Sequence, residues 1–293
     1  MKRFYFLFAL LFAIDGSAAW HTPDPIDRVV HASRIIEAPV EMAQAVIPVR
    51  RKRPPVAAGG TLNDGLVAYW KMDESGIVDR ADSVGTLTLT NLPVPGVTGP
   101  TSATGIINNG VDYEDANGVY FEHGPDPAVV DFNGQQSFTI AAWAQTESQG
   151  QRRTIIAKYQ SSGQAQWYLQ YRNTDDHWIF GVSNDGTAEV EVDSDNQGAV
   201  ADATWYFIVG WYDADADTIN IRVGTGSTLQ AADTPVAHTT GIFNSTSVLR
   251  LGRLTTAGYF DGLTDEVGIW NRVLTSAEIV ELFNGGAGKT YPF

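Results

Sequence analysis

Cysteine is absent from this chain. That excludes disulfides, thiolate metal sites and a cysteine nucleophile, and leaves stability to core size, sheet pairing or bound ions. Five histidines are scattered without zinc-site spacing, and no Gly-x-Ser-x-Gly elbow occurs. Positive charge is scarce: 19 Lys and Arg stand against 34 Asp and Glu. The deficit is uneven. Residues 1–60 hold eight basic and five acidic side chains, a net of +3, whereas residues 61–293 hold eleven and 29, a net of −18. So acidic a body repels nucleic acid and anionic lipid, and it suits neutral ligands and divalent cations. Long apolar runs are missing too. The stretch from Phe4 to Ile14 has eleven residues, short of the ~20 that span a bilayer as a helix.

That stretch follows Lys2 and Arg3 and precedes Ser17-Ala18-Ala19. Charge, short apolar run and small residues, in that order, predict a secretory signal peptide cut after Ala19. The alternatives are an uncleaved anchor or a buried helix of an assembled particle. In residues 20–60, "TPDPIDRVVHASRIIEAP" suits one short helix, and "VIPVRRKRPPVAAGG" reads as a tether solvated by Arg50 to Arg53. The expected organisation is therefore a signal peptide (1–19), a basic Pro/Gly-rich segment (20–60) and one domain (61–293). The expected location is secreted or cell-surface, with no transmembrane span in the mature form.

What the domain does contain is aromatic and β-branched. Eight Trp, eleven Tyr and thirteen Phe accompany 29 Gly, a composition of strands and tight turns. "GLVAYWKMDE", "SFTIAAWAQT", "QAQWYLQYR", "DHWIFGVSNDG", "TAEVEVDSD", "TWYFIVGWYDADADTINIRVG" and "SVLRLGR" read as successive strands. Their spacing predicts an all-β fold, an antiparallel sandwich or jelly roll. In "TWYFIVGWY", Trp205, Phe207, Val209 and Trp211 share one face, Tyr206, Ile208 and Tyr212 the other. Near the C-terminus Thr275 and Glu278 form a capping-box pattern, and Gly285 and Gly286 end the short helix it opens.

The closing motif is specific. Asp261, Gly262, Asp265, Glu266, Val267, Trp270, Asn271, Arg272, Leu274, Thr275 and Glu278 resemble the last strand and plug helix of LamG-like jelly-roll domains, of the concanavalin A-like lectin/glucanase superfamily. Gly65 to Glu74, Ser137 to Trp143 and Thr204 to Asp213 match three other strands of that pattern in order. The resemblance covers about residues 62–290. It implies that the first and last strands lie side by side, which brings Asp73-Glu74 against Asp265-Glu266. Such carboxylates must be protonated, paired or bound to a cation. The resemblance implies a structural Ca²⁺ on Asp73 and Asp265; neutralisation by Arg272 or Arg253 is the alternative.

Glu189, Glu191 and Asp193 alternate with valines, so a strand presents all three on one face, successive ones about 6.5–7 Å apart. Laminarinase-type relatives use Glu-x-Asp-x-x-Glu. Here Glu191-x-Asp193-x-x-Asn196 ends on an amide, which cannot protonate a leaving group. A glycoside hydrolase is therefore the third reading, behind a non-catalytic module. "DADAD" (213–217) and "DSDNQG" (193–198) lack EF-hand ligands at the required spacing and read as hairpin turns.

The first reading is an exported carbohydrate-binding or adhesion module with a glycan or cell-surface polysaccharide as partner. The second is a structural protein of a matrix, envelope or virion, contacting other surface or virion proteins. Trp70, Trp143 and Trp270 are assigned to the core. For the ligand face, the Trp205 parity is taken as the core side, which turns Tyr206 and Tyr212 outward. The resemblance places Leu169 inward, so Tyr168, Gln170 and Arg172 go outward with His177. These six residues are the expected glycan site, the tyrosine rings stacking on sugar and the polar groups fixing hydroxyls.

Overall fold

The computed structural model describes residues 61–92, 99–161 and 163–293. The expected signal peptide and the basic segment with Arg50 to Arg53 lie outside the described residues. Among the described residues sixteen strands run in the order β1 (Leu66–Trp70), β2 (Thr90–Leu92), β3 (Thr101–Thr104), β4 (Asn109–Tyr113), β5 (Tyr120–His123), β6 (Phe138–Thr146), β7 (Arg153–Gln160), β8 (Gln164–Arg172), β9 (His177–Ser183), β10 (Glu189–Asp193), β11 (Tyr206–Asp213), β12 (Thr218–Thr225), β13 (Thr228–Leu229), β14 (Val236–Ala237), β15 (Leu249–Leu251) and β16 (Gly262–Trp270). A single α-helix among the described residues, α1 (Ser276–Phe283), follows them. All pairings between these strands are antiparallel.

The strands form two sheets. Sheet one has the order β13-β12-β11-β6-β16-β4-β3, with β1 on β16 and β14 on β12; sheet two has the order β10-β9-β8-β7-β15-β5-β2. Between them lies an apolar layer that includes Trp70, Phe138, Ile140, Trp167, Leu169, Tyr171, Trp178 and Phe180. This is the all-β antiparallel jelly-roll sandwich with a short C-terminal helix that the strand pattern predicts.

The parity of β11 is the reverse of the expectation. Tyr206 pairs with Ala144, Ile208 with Ala142 and Tyr212 with Phe138, and the β6 partners face the other sheet. Tyr206, Ile208 and Tyr212 therefore point into the core. Gly210 lies on the same side: a Cβ there would stand 2.5 Å from the Phe180 ring of sheet two. The opposite face, with Phe207 and Val209, is also buried. It forms a second apolar cluster with Trp143, Trp270, Ile279, Leu282 and Phe283, under α1. Two covered faces, not one core and one open face, explain why this strand is aromatic on both sides.

The helix is pinned at its start. Glu278 N–H donates to Thr275 Oγ1 (3.3 Å) and Thr275 N–H donates to Glu278 Oε2 (2.7 Å), closing the capping box. Arg272 grips the same carboxylate with two N–H donors, at 2.8 and 2.6 Å. It also donates to the carbonyls of Asp64 (2.6 Å) and Thr61 (3.0 Å). One guanidinium thus joins the start of the described domain, the last strand and the plug helix. Asn284, in the left-handed conformation at φ 47°, ends the helix one residue before the glycines expected to do so.

Candidate functional site

The acids in the last strand sit at a change of partner. Over Gly262–Thr264, β16 pairs with β4; over Val267–Trp270 it pairs with β1. Between the two, its register with β6 shifts, and Glu266 takes φ 48°. This bulge leaves a gap between the start of β4 and the residues after β1, and carboxyls fill it. Asp265 Oδ2 accepts the Ile107 N–H at 3.0 Å. Asp73 Oδ1 accepts the Asn109 N–H at 3.3 Å. Gly105 is required here, because a Cβ would lie 2.5 Å from Asp265 Oδ2.

Asp265 is fully buried and Glu266 nearly so. Asp265 Oδ1 has no hydrogen-bond partner in the protein, whereas the Glu266 carboxyl lies beside the Tyr69 and Thr290 hydroxyls, which favour its ionised form. Burial, with the Glu266 charge adding to it, pushes the Asp265 carboxyl up to about 8. Burial, with the Asp73 charge adding to it, pushes Glu266 up to about 7. Tyr69 beside them is raised well above its ordinary value, first by burial and then by Glu266. Neither proposed arginine neutralises the pair. Arg272 is spent on Glu278, and Arg253 lies over the rings of Tyr120 and Tyr259, at 4.4 and 5.0 Å. Lys71 supplies the positive charge near Glu266. Asp73, Asp265 and Glu266 border one bulge, but among the described residues only Asp112, Glu114 and Glu147 bring three carboxylate oxygens within 4.8 Å of one another.

The six expected glycan residues divide. Tyr168, Gln170, Arg172 and His177 share the outer face of sheet two. Tyr206 and Tyr212 do not: they face the core between the sheets, where the Tyr206 hydroxyl accepts the Ala201 N–H at 2.9 Å and the Tyr212 hydroxyl donates to Gln135 Oε1 at 2.9 Å. The cause is the β6 register described above.

Tyr168 is on the expected face but is not an open platform. Its side chain is 1% exposed. The ring lies across β9 at Gly181, where a Cβ would meet it at 2.2 Å. Its hydroxyl thereby reaches β10, at 2.8 Å from Glu189 and 2.6 Å from Glu191. Burial, then the Glu191 and Glu189 charges, raises the phenol well above its ordinary value, so it stays a neutral donor. Arg152 and Arg172 hold Glu191 from the other side, at 3.0 and 2.7 Å. Arg172 also pairs with Asp193 (2.7 Å) and Asp175. Burial works against ionisation of Glu191, but Tyr168, Arg152 and Arg172 together hold its carboxyl below its ordinary value. An acid so held has no proton to give a leaving group. Asn196 lies beyond the end of β10, its N–H donating to Asp233 Oδ1 at 2.6 Å. His177 stands 3.7 Å from Asp175 and 3.9 Å from Asp195.

Gln170 differs from its neighbours. It is 1% exposed, and neither its Oε1 nor its Nε2 has a partner. Thr154, its register neighbour on β7, is also buried with a hydroxyl lacking a partner. Sequence reasoning missed Thr154 and Arg152, since only the β7–β8 pairing brings them to this face.

A family model for the concanavalin A-like lectin/glucanases superfamily matches residues 115–280. The chain belongs to this superfamily. The matched span includes the Ser137, Thr204 and Asp261 motifs; Gly65 to Glu74 precedes it. Among curated proteins none matches in sequence. Solved structures share the fold. Domain 4 of AbnA, a GH43 extracellular arabinanase from Geobacillus stearothermophilus solved with arabinotriose, is 13% identical at TM-score 0.52, over 74% of this chain and 97% of that one. The botulinum neurotoxin serotype G binding domain is 13% identical at TM-score 0.52, over 74% of this chain and 50% of that one. The sialidase of Trypanosoma rangeli in complex with DANA is 15% identical at TM-score 0.54, over 79% and 35%. The chain thus spans only half of the toxin domain. At these identities the likeness is one of fold, shared by binding domains and enzymes.

No helix of the described residues is long and apolar enough to cross a membrane. A further acidic group, unforeseen from the sequence, is formed by Asp112, Glu114 and Glu147, whose carboxylate oxygens lie within 4.8 Å of one another. Burial raises the Asp112 and Glu147 carboxyls. Two of the three residues are exposed, unlike the pair in the bulge.

Proposed function

We propose that the chain is an exported, non-catalytic carbohydrate-binding module. Superfamily membership and the arabinotriose complex of a structural neighbour support the class. The observation that carries the site is Gln170, a buried amide beside the Thr154 hydroxyl, none of these polar atoms having a protein partner. Such groups cost free energy unless something partners them; they lie beneath the surface, so a sugar hydroxyl partners them through a bridging water or after the side chains above them move aside. Tyr168 contributes as a rigid support, locking the carboxylates of β10 in place. Arg172 and His177 form the rim. Neutral glycans are favoured, because Asp175, Glu189, Glu191, Asp193 and Asp195 surround the site and repel uronates and sulfates at low salt. A shallow face holding a flexible ligand binds at about 10 μM to 1 mM. Against catalysis stand the ionised Glu191 and the amide at Asn196.

A glycan array with isothermal titration of the best hit tests this. Gln170→Leu keeps the shape and removes the amide, and it is expected to abolish binding at this face. If every glycan binds the variant as well as it binds the parent, the site is wrong. If no glycan binds either protein, the structural-protein reading, with the sandwich as spacer or protein-binding face, takes its place.

We propose in addition that Asp73 and Asp265 hold a structural Ca²⁺. Bound there, the ion supplies the positive charge that keeps buried carboxylates ionised and ties β1, β4 and β16 together at the bulge.

A further inference from the structure

The opposite side of the sandwich carries a second opening. Beside α1, on the outer face of sheet one, a cleft of about 340 Å³ lies between Trp205, Trp143, Ile106, Thr204 and Thr225. Trp205 directly precedes β11 and shares its parity with the buried Phe207 and Val209, yet it is only half-buried. It is the point where the aromatic row beneath the helix reaches the surface. Its backbone is fixed: Thr225 Oγ1 donates to the Trp205 carbonyl at 2.8 Å. The floor is Trp143, 2% exposed and stacked on Phe283 with centroids 5.8 Å apart. The rim is closed by two turns in contact, since a Cβ on Gly286 would lie 1.8 Å from the Gly226 carbonyl oxygen.

No ionisable side chain lines this cleft, although the surrounding domain carries −18. Its chemistry is two indoles, two threonine hydroxyls and glycine backbone. We infer that it binds a neutral oligosaccharide, one ring stacked on Trp205 and its hydroxyls bonded to Thr204 and Thr225. Indole faces take the C–H face of a sugar, and hydroxyls fix its orientation. Both threonine hydroxyls donate within the protein, Thr204 to the Asp202 carbonyl at 3.3 Å and Thr225 to that of Trp205, so each offers a sugar hydroxyl its acceptor lone pairs; a charged ligand would find no counter-charge. The volume is at the small end of ligand sites, which run from about 300 to 1,000 Å³, so it suits one or two sugar rings. This inference rests on the reading of the module as a glycan binder and adds a second site, on the other sheet from Gln170.

Parent protein, Thr204→Trp, Trp205→Ala and Gln170→Leu are compared on one array of neutral and acidic glycans, with isothermal titration of each neutral hit. Thr204→Trp fills the cleft from its rim and leaves the Trp205 packing in place, so it decides the matter if Trp205→Ala does not fold. At least one neutral glycan is expected to lose about tenfold or more in affinity, 1.4 kcal/mol, with Thr204→Trp while still binding Gln170→Leu. If every glycan binds Thr204→Trp as tightly as the parent, the inference is wrong. Should Gln170→Leu alone abolish all binding, the sheet-two site stands and the cleft falls. If the parent binds no glycan, both fall.

Discussion

Removing calcium should destabilise this domain, by an amount that grows with pH. Asp265 and Glu266 are buried, and Asp265 Oδ1 has no donor in the protein. Without a cation their carboxyls are pushed up to about 8 and about 7, from 3.8 and 4.5. A raised carboxyl means that the folded state holds protons the unfolded chain has released. Between about pH 4 and pH 8 the stability of the cation-free domain therefore falls as pH rises. At 1.36 kcal/mol per pKa unit, Asp265 alone accounts for a loss on the order of 5 kcal/mol across that range. Burial also raises Asp112, Glu147 and Asp233, which act in the same direction. His238, lowered by burial, acts in the opposite one. A cation replaces the protons and flattens the slope. At a hundredfold excess over its dissociation constant it adds about 2.7 kcal/mol, or about 5–10 °C of melting temperature for a domain of this size. The assay is a thermal melt at pH 5, 6.5 and 8, with calcium and with chelator. The gap between the two curves should be small at pH 5 and largest at pH 8. Asp265→Asn keeps the Ile107 hydrogen bond and removes the charge, so its gap should vanish, while Asp112→Asn should retain it. A wild-type melt that chelator leaves unchanged at pH 8 would refute the cation reading.

Other consequences are more local. Arg272→Met should lower stability by about 3–5 kcal/mol, because it leaves the buried Glu278 carboxylate without its cation; a denaturant midpoint measures this, and a loss near zero would show that the capping box alone suffices. Gly181→Ala forces a methyl against the Tyr168 ring and hydroxyl, 2.2 and 2.5 Å from the added Cβ, and should cost about 1–3 kcal/mol by overpacking; a denaturant midpoint measures this, and an unchanged midpoint would show that the ring moves aside freely. Spectrophotometric titration should find Tyr168 un-ionised beyond the range of an exposed tyrosine, and its early ionisation would contradict the burial and carboxylate contacts described.

The sequence by itself determined the fold class, the turns at Asp213–Asp217, the plug helix and the burial of Trp70, Trp143 and Trp270. These follow from alternation, glycine placement and capping pairs, which are local properties of a strand or a helix start. The resemblance also set β1 beside β16, which places the Asp73 charge near Glu266. Which face of β11 looks inward was not local. Both faces are aromatic, so periodicity is equal either way, and only the pairing of Tyr206 with Ala144 and of Tyr212 with Phe138 turns the tyrosines into the core. Tyr168 shows the same limit. Alternation placed it on the outer face, but that its ring crosses Gly181 to two carboxylates on another strand depends on the β8–β9–β10 register. The cleft at Trp205 was equally out of reach, because it exists only where the residues before β11, the turns at Gly226 and Gly286, Ile106 and Trp143 of β6 meet. Alternation tells which side chains share a face; what covers that face is decided by strands distant in sequence, and the binding surfaces are what remains uncovered.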